Sequence, residues 1–241
     1  MSRLSHSPLI LITGASQGIG AEIARQFAAL DMPLRLALLA RNETGLAEVK
    51  AQCGGAEEVE LYPCDASDDA AVASAMAALK KRQGPVSVLI NNAGQWHCES
   101  VAEMAPSTFS RIVASNLHST YLLCHHVVPM MQELGQGDIF NMVSTAGFEG
   151  YPGISAYCAA KHGVMGFSRA LREELRGEDI RVCCVSPGAT RSPSWDGVES
   201  VADQLMPTED VARAFVQMYL MDRRVVTEEI VLRPIVGHVT S

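Results

Sequence analysis

The sequence predicts an α/β fold: a single doubly wound domain over residues 1–241, built on a parallel seven-stranded sheet. Three observations carry this. Short apolar runs alternate with helical patterns along the chain, with no repeat, linker or low-complexity segment. The first apolar run feeds a glycine-rich turn that opens directly into an amphipathic helix. The composition is aliphatic: 48% of the 241 residues are hydrophobic but only 5% aromatic, which suits buried parallel strands and one large core.

Residues 9–12 are the first strand, followed by Thr13-Gly14-Ala15-Ser16-Gln17-Gly18-Ile19-Gly20 and a helix whose buried stripe is Ile19, Ile23, Phe27 and Leu30. Strand, glycine turn and helix make a cradle for a dinucleotide pyrophosphate. The glycines let the backbone approach the phosphates, and the helix N-terminus supplies N–H groups and a positive dipole end. The spacing is G-x-x-x-G-x-G rather than G-x-G-x-x-G. Residues 34–40 are the second strand, which in a Rossmann arrangement ends beside the adenosine ribose. It is followed by Arg41 and Asn42, with no acid. An acidic residue there favours NAD, whereas an Arg accommodates the 2′-phosphate of NADP, so NADP is expected over NAD.

A helix over 43–53 stops at Gly54-Gly55, and residues 59–62 form the third strand, leading to Asp65. Asp65 either caps the adenine or starts the next turn. Ser67 or Asp68 caps a helix to about Gln83. Residues 86–90 are the fourth strand, followed by Asn91-Asn92-Ala93-Gly94. Pro106 sits in the first turn of a helical pattern that runs, with room for an interruption, to Leu134. Asn116 lies inside it among apolar residues, as a functional group or a satisfied structural amide. Residues 138–143 are the fifth strand and deliver Ser144 at its carboxyl end, where open α/β sheets bind ligands. A helix carrying Tyr157 and Lys161 runs to about Arg176, closed by Gly177. The sixth strand, 180–185, ends at Ser186-Pro187-Gly188. Residues 187–208 read as a substrate-side loop segment, with Pro193, Trp195 and Gly197 in it. Thr208 caps a last helix with Glu209 and Asp210 in its first turn, and 229–232 is the seventh strand.

Tyr157 and Lys161 are four residues apart, which on a helix puts both on one face. A phenol titrates near pH ~10, and an ammonium a few ångströms away is expected to pull that value down. With the Ser144 hydroxyl beside them, the pair can move a proton on or off a carbonyl oxygen. None of the three moves a hydride, so the site calls for a redox cofactor.

Together these motifs resemble the short-chain dehydrogenase/reductase family over essentially the whole chain. The matching segments are T-G-A-S-Q-G-I-G at 13–20, N-N-A-G at 91–94, S-P-G at 186–188 and Y-x-x-x-K at 157–161. The resemblance implies strand order 3-2-1-4-5-6-7, NAD(P) binding and a homodimer or homotetramer built on the long central helices and last strand. It implies a tetrad of Asn116, Ser144, Tyr157 and Lys161. Tyr157 is then the proton donor in reduction, Ser144 orients the substrate oxygen, Lys161 holds the nicotinamide ribose and lowers the Tyr157 pKa, and Asn116 holds a water. Around the cofactor it implies Gly14, Ser16, Gln17, Gly18, Ile19 and Gly20 at the pyrophosphate, and Arg41, Asn42 and Asp65 at the adenosine. Asn92, Ala93 and Gly94 lie along the sheet edge, and Pro187, Gly188, Thr190 and Ser192 beside the nicotinamide carboxamide. The C-terminal stretch I-V-L-R-P-I-V-G-H-V departs from the family's frequent D-G-G ending.

The expected activity is an NADP-dependent ketone or aldehyde reductase, or alcohol dehydrogenase, on a small or medium substrate. A cofactor-sensing regulatory protein without turnover is the alternative from another class. A sugar-nucleotide epimerase or dehydratase also uses Y-x-x-x-K, but its G-x-x-G-x-x-G turn and larger C-terminal region do not match. The net charge is -8 with no long basic run, which speaks against nucleic acid or an anionic membrane as partner. No apolar run reaches membrane-span length. After Arg3, the run 9–12 is too short for a signal peptide. Seven cysteines, at 53, 64, 98, 124, 158, 183 and 184, fit no disulfide framework and point to a reducing, cytoplasmic compartment. His125 and His126 diverge on a helix, and no metal motif is present, so no metal is expected. Trp96 and His97 follow the N-N-A-G motif and are candidates for the substrate pocket, His97 reading better as a packing or surface histidine. Cys158 reads as a small buried filler.

Overall fold

A computed structural model describes residues 7–195 and 199–239; Arg3 and Gly197 lie outside the described residues. Seven strands pair in parallel in the order β3-β2-β1-β4-β5-β6-β7. They are β1 (Leu9–Thr13), β2 (Arg35–Ala40), β3 (Glu58–Pro63), β4 (Val88–Asn91), β5 (Gly137–Met142), β6 (Ile180–Pro187) and β7 (Glu229–Leu232). The helices are α1 (Gly18–Ala28), α2 (Glu43–Ala51), α3 (Asp69–Gln83), α4 (Pro106–Val113), α5 (Ser119–Leu134), α6 (Ser155–Glu174) and α7 (Thr208–Leu220). The chain direction across the sheet reverses between β1 and β4, so a crevice opens at their carboxyl ends.

The strands are apolar throughout because both faces are covered. Alternate residues still separate cleanly. Ile10, Ile12, Leu36 and Leu38 pack on one face with Phe27 of α1, Leu46 of α2 and Phe215 of α7. Leu9, Leu11, Ala37 and Leu39 pack on the other with Val72 of α3, Leu123 of α5 and Leu171 of α6. This is the strand's two-residue period expressed between two cores rather than between core and water.

Several boundaries are decided or moved by local contacts. Of the two candidate caps for α3, Asp68 takes the role, accepting from the Ala71 N–H at 2.9 Å. Thr208 does not cap α7: Pro207 holds that position and Thr208 is the first helical residue, its hydroxyl turned to the Arg191 carbonyl. The described residues 189–195 and 199–206 are more ordered than a bare loop. Two 3-10 turns, Pro193–Trp195 and Glu199–Gln204, lie within it, and a bridge between Thr190 and Met206 closes its base. The long helical pattern after Pro106 is interrupted by a π-helical turn, Ala114–His118.

At the amino end of β5, away from the crevice, buried Asp138 receives Arg181 at 2.5 Å and Arg223 at 2.8 Å. All seven cysteines are free thiols. Among the described residues no helix is long and apolar enough to cross a membrane.

Candidate active site

Gly14 follows β1 with φ +64°, a conformation that favours glycine. A β-carbon there would lie 2.9 Å from Asn92 Nδ2 and 3.0 Å from Ala93 Cα. The closeness follows from how β1 and β4 are tied. The Asn92 amide donates to the Thr13 carbonyl at 3.0 Å, and the Asn92 and Ala93 N–H groups donate to the Thr13 hydroxyl at 3.0 and 2.9 Å. The chain then enters α1 with no side-chain cap on Gln17 and no acid in its first turn. Its leading N–H groups and dipole are therefore left for an anion. Gly14, Ser16, Gln17, Gly18 and Ile19 face the crevice. Gly20, expected with them, turns its Cα toward the inside of the turn, where a β-carbon would lie 2.5 Å from Asn92 Nδ2. Its missing side chain lets the turn pack closely, while its backbone N–H stays in the first turn of α1.

Arg41 and Asn42 follow β2 directly. Asn42 caps α2 through the Gly45 N–H at 3.1 Å, while its neighbour Arg41 extends into the crevice. Asp65, past β3, starts a turn: the Ser67 N–H and hydroxyl donate to it at 2.9 and 2.7 Å. Arg41 Nη1 stands 3.8 Å from its other oxygen. Both side chains are exposed, so this ion pair is worth at most about 1 kcal/mol and leaves Arg41 available to another anion.

At the centre, Ser144 follows β5 in extended backbone, and its hydroxyl accepts from the Ala146 N–H at 3.2 Å. Tyr157 lies in the first turn of α6 and Lys161 one turn on. Lys161 is 2% exposed, donates to the Met142 carbonyl at 2.8 Å, and holds Nζ 5.6 Å from the centre of the Tyr157 ring. Burial pulls the lysine down to about 7. Burial also pushes the Tyr157 phenol up to about 12, against the pull of its hydrogen bond with Ser144. The expected lowering of Tyr157 by Lys161 is thus not a property of the protein alone. Desolvation disfavours the charged form of each group.

Asn116 sits in the π-helical turn, a widening often found at functional sites. Its amide donates to the carbonyls of Gln95 and Ile112 at 2.8 and 2.9 Å, while its buried Oδ1 has no hydrogen-bond partner. A β-carbon on Gly94 would stand 2.5 Å from that oxygen and 3.7 Å from Lys161 Nζ. Asn116 is therefore both a satisfied donor that fixes the loop after β4 and an acceptor left open near the lysine.

These groups line one cleft of about 1200 Å³, more than a usual small-molecule pocket and enough for a dinucleotide beside a substrate. Asn92, Ala93, Gly94, Pro187, Gly188, Thr190 and Ser192 join the lining. Thr190 is buried and its hydroxyl donates to the Gly188 carbonyl at 3.0 Å. Trp96 lines the cleft, but His97 turns away to Glu99 at 2.9 Å. Cys158 is a buried packing residue. Tyr151, Arg233 and His238 also line the cleft. Sequence reasoning missed them because they come from segments more than 80 residues apart with no shared spacing. Among the described residues no group of three His, Cys, Asp or Glu is placed to hold a metal ion.

Residues 8–202 match the family model for short chain dehydrogenases. The chain belongs to the short-chain dehydrogenase family. This short-chain dehydrogenase is 32% identical over 238 residues to a sepiapterin reductase of Chlorobaculum tepidum, covering 96% of this chain and 98% of that one. Among solved structures it resembles a single-substitution variant of the actinorhodin polyketide ketoreductase with NADPH, with TM-score 0.82, 29% identity and coverage of 95% and 96%. It also resembles a metagenomic short-chain oxidoreductase in complex with NADP, with TM-score 0.83, 30% identity and coverage of 95% and 97%. As a member of this family the protein is an oxidoreductase acting on C=O or CH–OH groups.

Proposed function

We propose that the protein is an NADP-dependent oxidoreductase that interconverts a carbonyl and a hydroxyl group on a small or medium substrate, with Ser144, Tyr157, Lys161 and Asn116 as its catalytic set. The observation that carries this reading is their convergence, with the uncapped start of α1, on one cleft. The residues fit the cofactor: a glycine turn too tight for a side chain, free helix N–H groups, Arg41 with no acid at the end of β2, and an open acceptor on Asn116. Bound, the nicotinamide nucleotide supplies the hydride for reduction and takes it up in oxidation.

The chain's own residues handle position and protons. Backbone N–H groups of 16–20 and the α1 dipole hold the pyrophosphate, and Arg41 and Asn42 hold the adenosine 2′-phosphate. Ser144 donates to the substrate carbonyl oxygen, and Tyr157 delivers the proton to it as the oxygen becomes basic. A phenol held near 12 stays protonated at neutral pH, the form that reduction needs. For oxidation the phenolate is needed, and added positive charge beside Tyr157 favours it. Lys161 holds the nicotinamide ribose hydroxyls, and Asn116 Oδ1 holds a water that extends the proton path. Within the segment 187–208, residues 187–195 form the substrate-side wall. The assembly is a homodimer or homotetramer; exposed Tyr121 on α5, Val231 on β7 and Val236 beyond it support this.

The test is NADPH and NADH oxidation with a panel of ketones, aldehydes and quinones. Turnover with NADPH preferred over NADH is expected. No oxidation with any carbonyl would overturn the reading in favour of a cofactor-sensing protein.

A further inference from the structure

The substrate end of the cleft is aromatic in a chain that has few aromatics. The protein has two tryptophans, and both Trp96 and Trp195 line this cleft. Trp96 is 51% exposed, a large flat apolar face left to water inside a concavity. In the same lining the rings of Tyr151 and His238 stack face to face, centroids 4.5 Å apart and planes within 10°. That stack is braced. The Tyr151 hydroxyl donates to Glu149, Glu149 also receives the Arg233 guanidinium, and Arg233 lies 5.7 Å from the centre of the Phe148 ring. The tail beyond β7 is anchored again at Val239, which is buried against Val201 and Leu205 next to Trp195. The tail is thus held at both ends as a wall of the cleft.

Charge narrows the ligand further. Among the described residues, the charged side chains lining the cleft are Arg41 and Asp65 at the ends of β2 and β3, Lys161 at the centre, and Arg233. Arg233 is already neutralised by Glu149, so these residues offer no free charge to an anion at the substrate end. Flat faces and no unpaired charge among them favour stacking of a neutral ring over capture of a carboxylate or phosphate.

We infer that the site takes an uncharged substrate whose reacting carbonyl or hydroxyl is carried on a flat aromatic or conjugated ring, held against Trp96 and the Tyr151–His238 stack. This rests on the oxidoreductase reading above and names its substrate class. The tail residue His238 and the loop residue Trp96 are then specificity residues, acting on ring affinity rather than on the proton.

The experiment compares 2-acetylnaphthalene with its saturated decalin counterpart. Both are titrated calorimetrically into the full chain with saturating NADP⁺, where neither ketone turns over, and both are assayed for kcat/KM with NADPH. The naphthalene compound is expected to bind about tenfold tighter, with H238A and W96A each removing several-fold of that ratio while NADP⁺ affinity holds. Plain hydrophobic partition would favour the saturated ring. Equal or tighter binding of the decalin compound, or a ratio unmoved in both variants, overturns the inference. Binding preference intact with no turnover of any carbonyl would leave it standing and remove the reaction instead.

Discussion

Lys161 holds its ammonium nitrogen 5.6 Å from the centre of the Tyr157 ring and donates from there to the Met142 carbonyl at 2.8 Å. The lysine is thus fixed by the sheet and not by the phenol. Each of the two stands on α6 at helical spacing, and each is pushed by burial toward its neutral form. The first expectation concerns that phenol. Tyr157→Phe removes the proton donor while leaving shape, so kcat should fall by about 10³-fold. NADPH affinity, measured by fluorescence titration, should stay within about twofold of the parent. Retained turnover would reject the proton-transfer role.

A buried lysine makes stability depend on pH. With a native value near 7 against 10.5 for a free lysine, the unfolded chain holds a proton that the native state lacks between those values. Stability attributable to Lys161 should therefore rise with pH from about 7 toward 10 and be lowest below 7. Denaturant melts of parent and Lys161→Met, without nucleotide, should show the parent gaining on the variant across pH 7 to 9 by up to about 1.4 kcal/mol per unit. Comparing against the variant cancels the cysteines, whose burial-raised values act in the opposite sense above pH 9. A flat difference would mean that the lysine stays charged in the native site.

The proposed contact of Arg41 with the 2′-phosphate makes nucleotide choice its test. Arg41 follows β2 with no acid beside it, and its ion pair with Asp65 is loose, at 3.8 Å. Arg41→Asp should raise the KM for NADPH about ten- to hundredfold, the worth of a charge-assisted contact, and change that for NADH far less. Steady-state kinetics with both nucleotides check this. Equal effects would take Arg41 out of the 2′-phosphate site.

Gly94 guards the space between Asn116 and Lys161. A β-carbon there meets Asn116 Oδ1 at 2.5 Å, so Gly94→Ala must displace the amide. We expect kcat to fall at least about tenfold, with a stability loss of about 1–3 kcal/mol from overpacking, read by kinetics and thermal denaturation. Unchanged kcat would show that the position of Asn116 is immaterial to turnover.

Much of the fold was legible because its signals are local. Strand runs bounded by glycine and proline, the turn at 13–20 and the Tyr157–Lys161 spacing each lie within a few residues. The misreadings have physical causes as well. Thr208 looked like a cap because of the acids after it, but Pro207 already supplies the extended conformation and frees the hydroxyl for Arg191. The packing duty of Gly20 was not legible, because the space its missing side chain leaves is filled by Asn92 from a distant segment.

By itself the sequence determined the fold class, the order of elements and the groups that can trade a proton. Those follow from periodicity and from residue chemistry within single elements. Only the tertiary structure decided which way Tyr157 and Lys161 titrate, where the π-helical turn aims Asn116, and that Tyr151 stacks on His238 in the lining of the cleft. Desolvation and contacts between distant segments set these, and neither leaves a repeating mark along the chain.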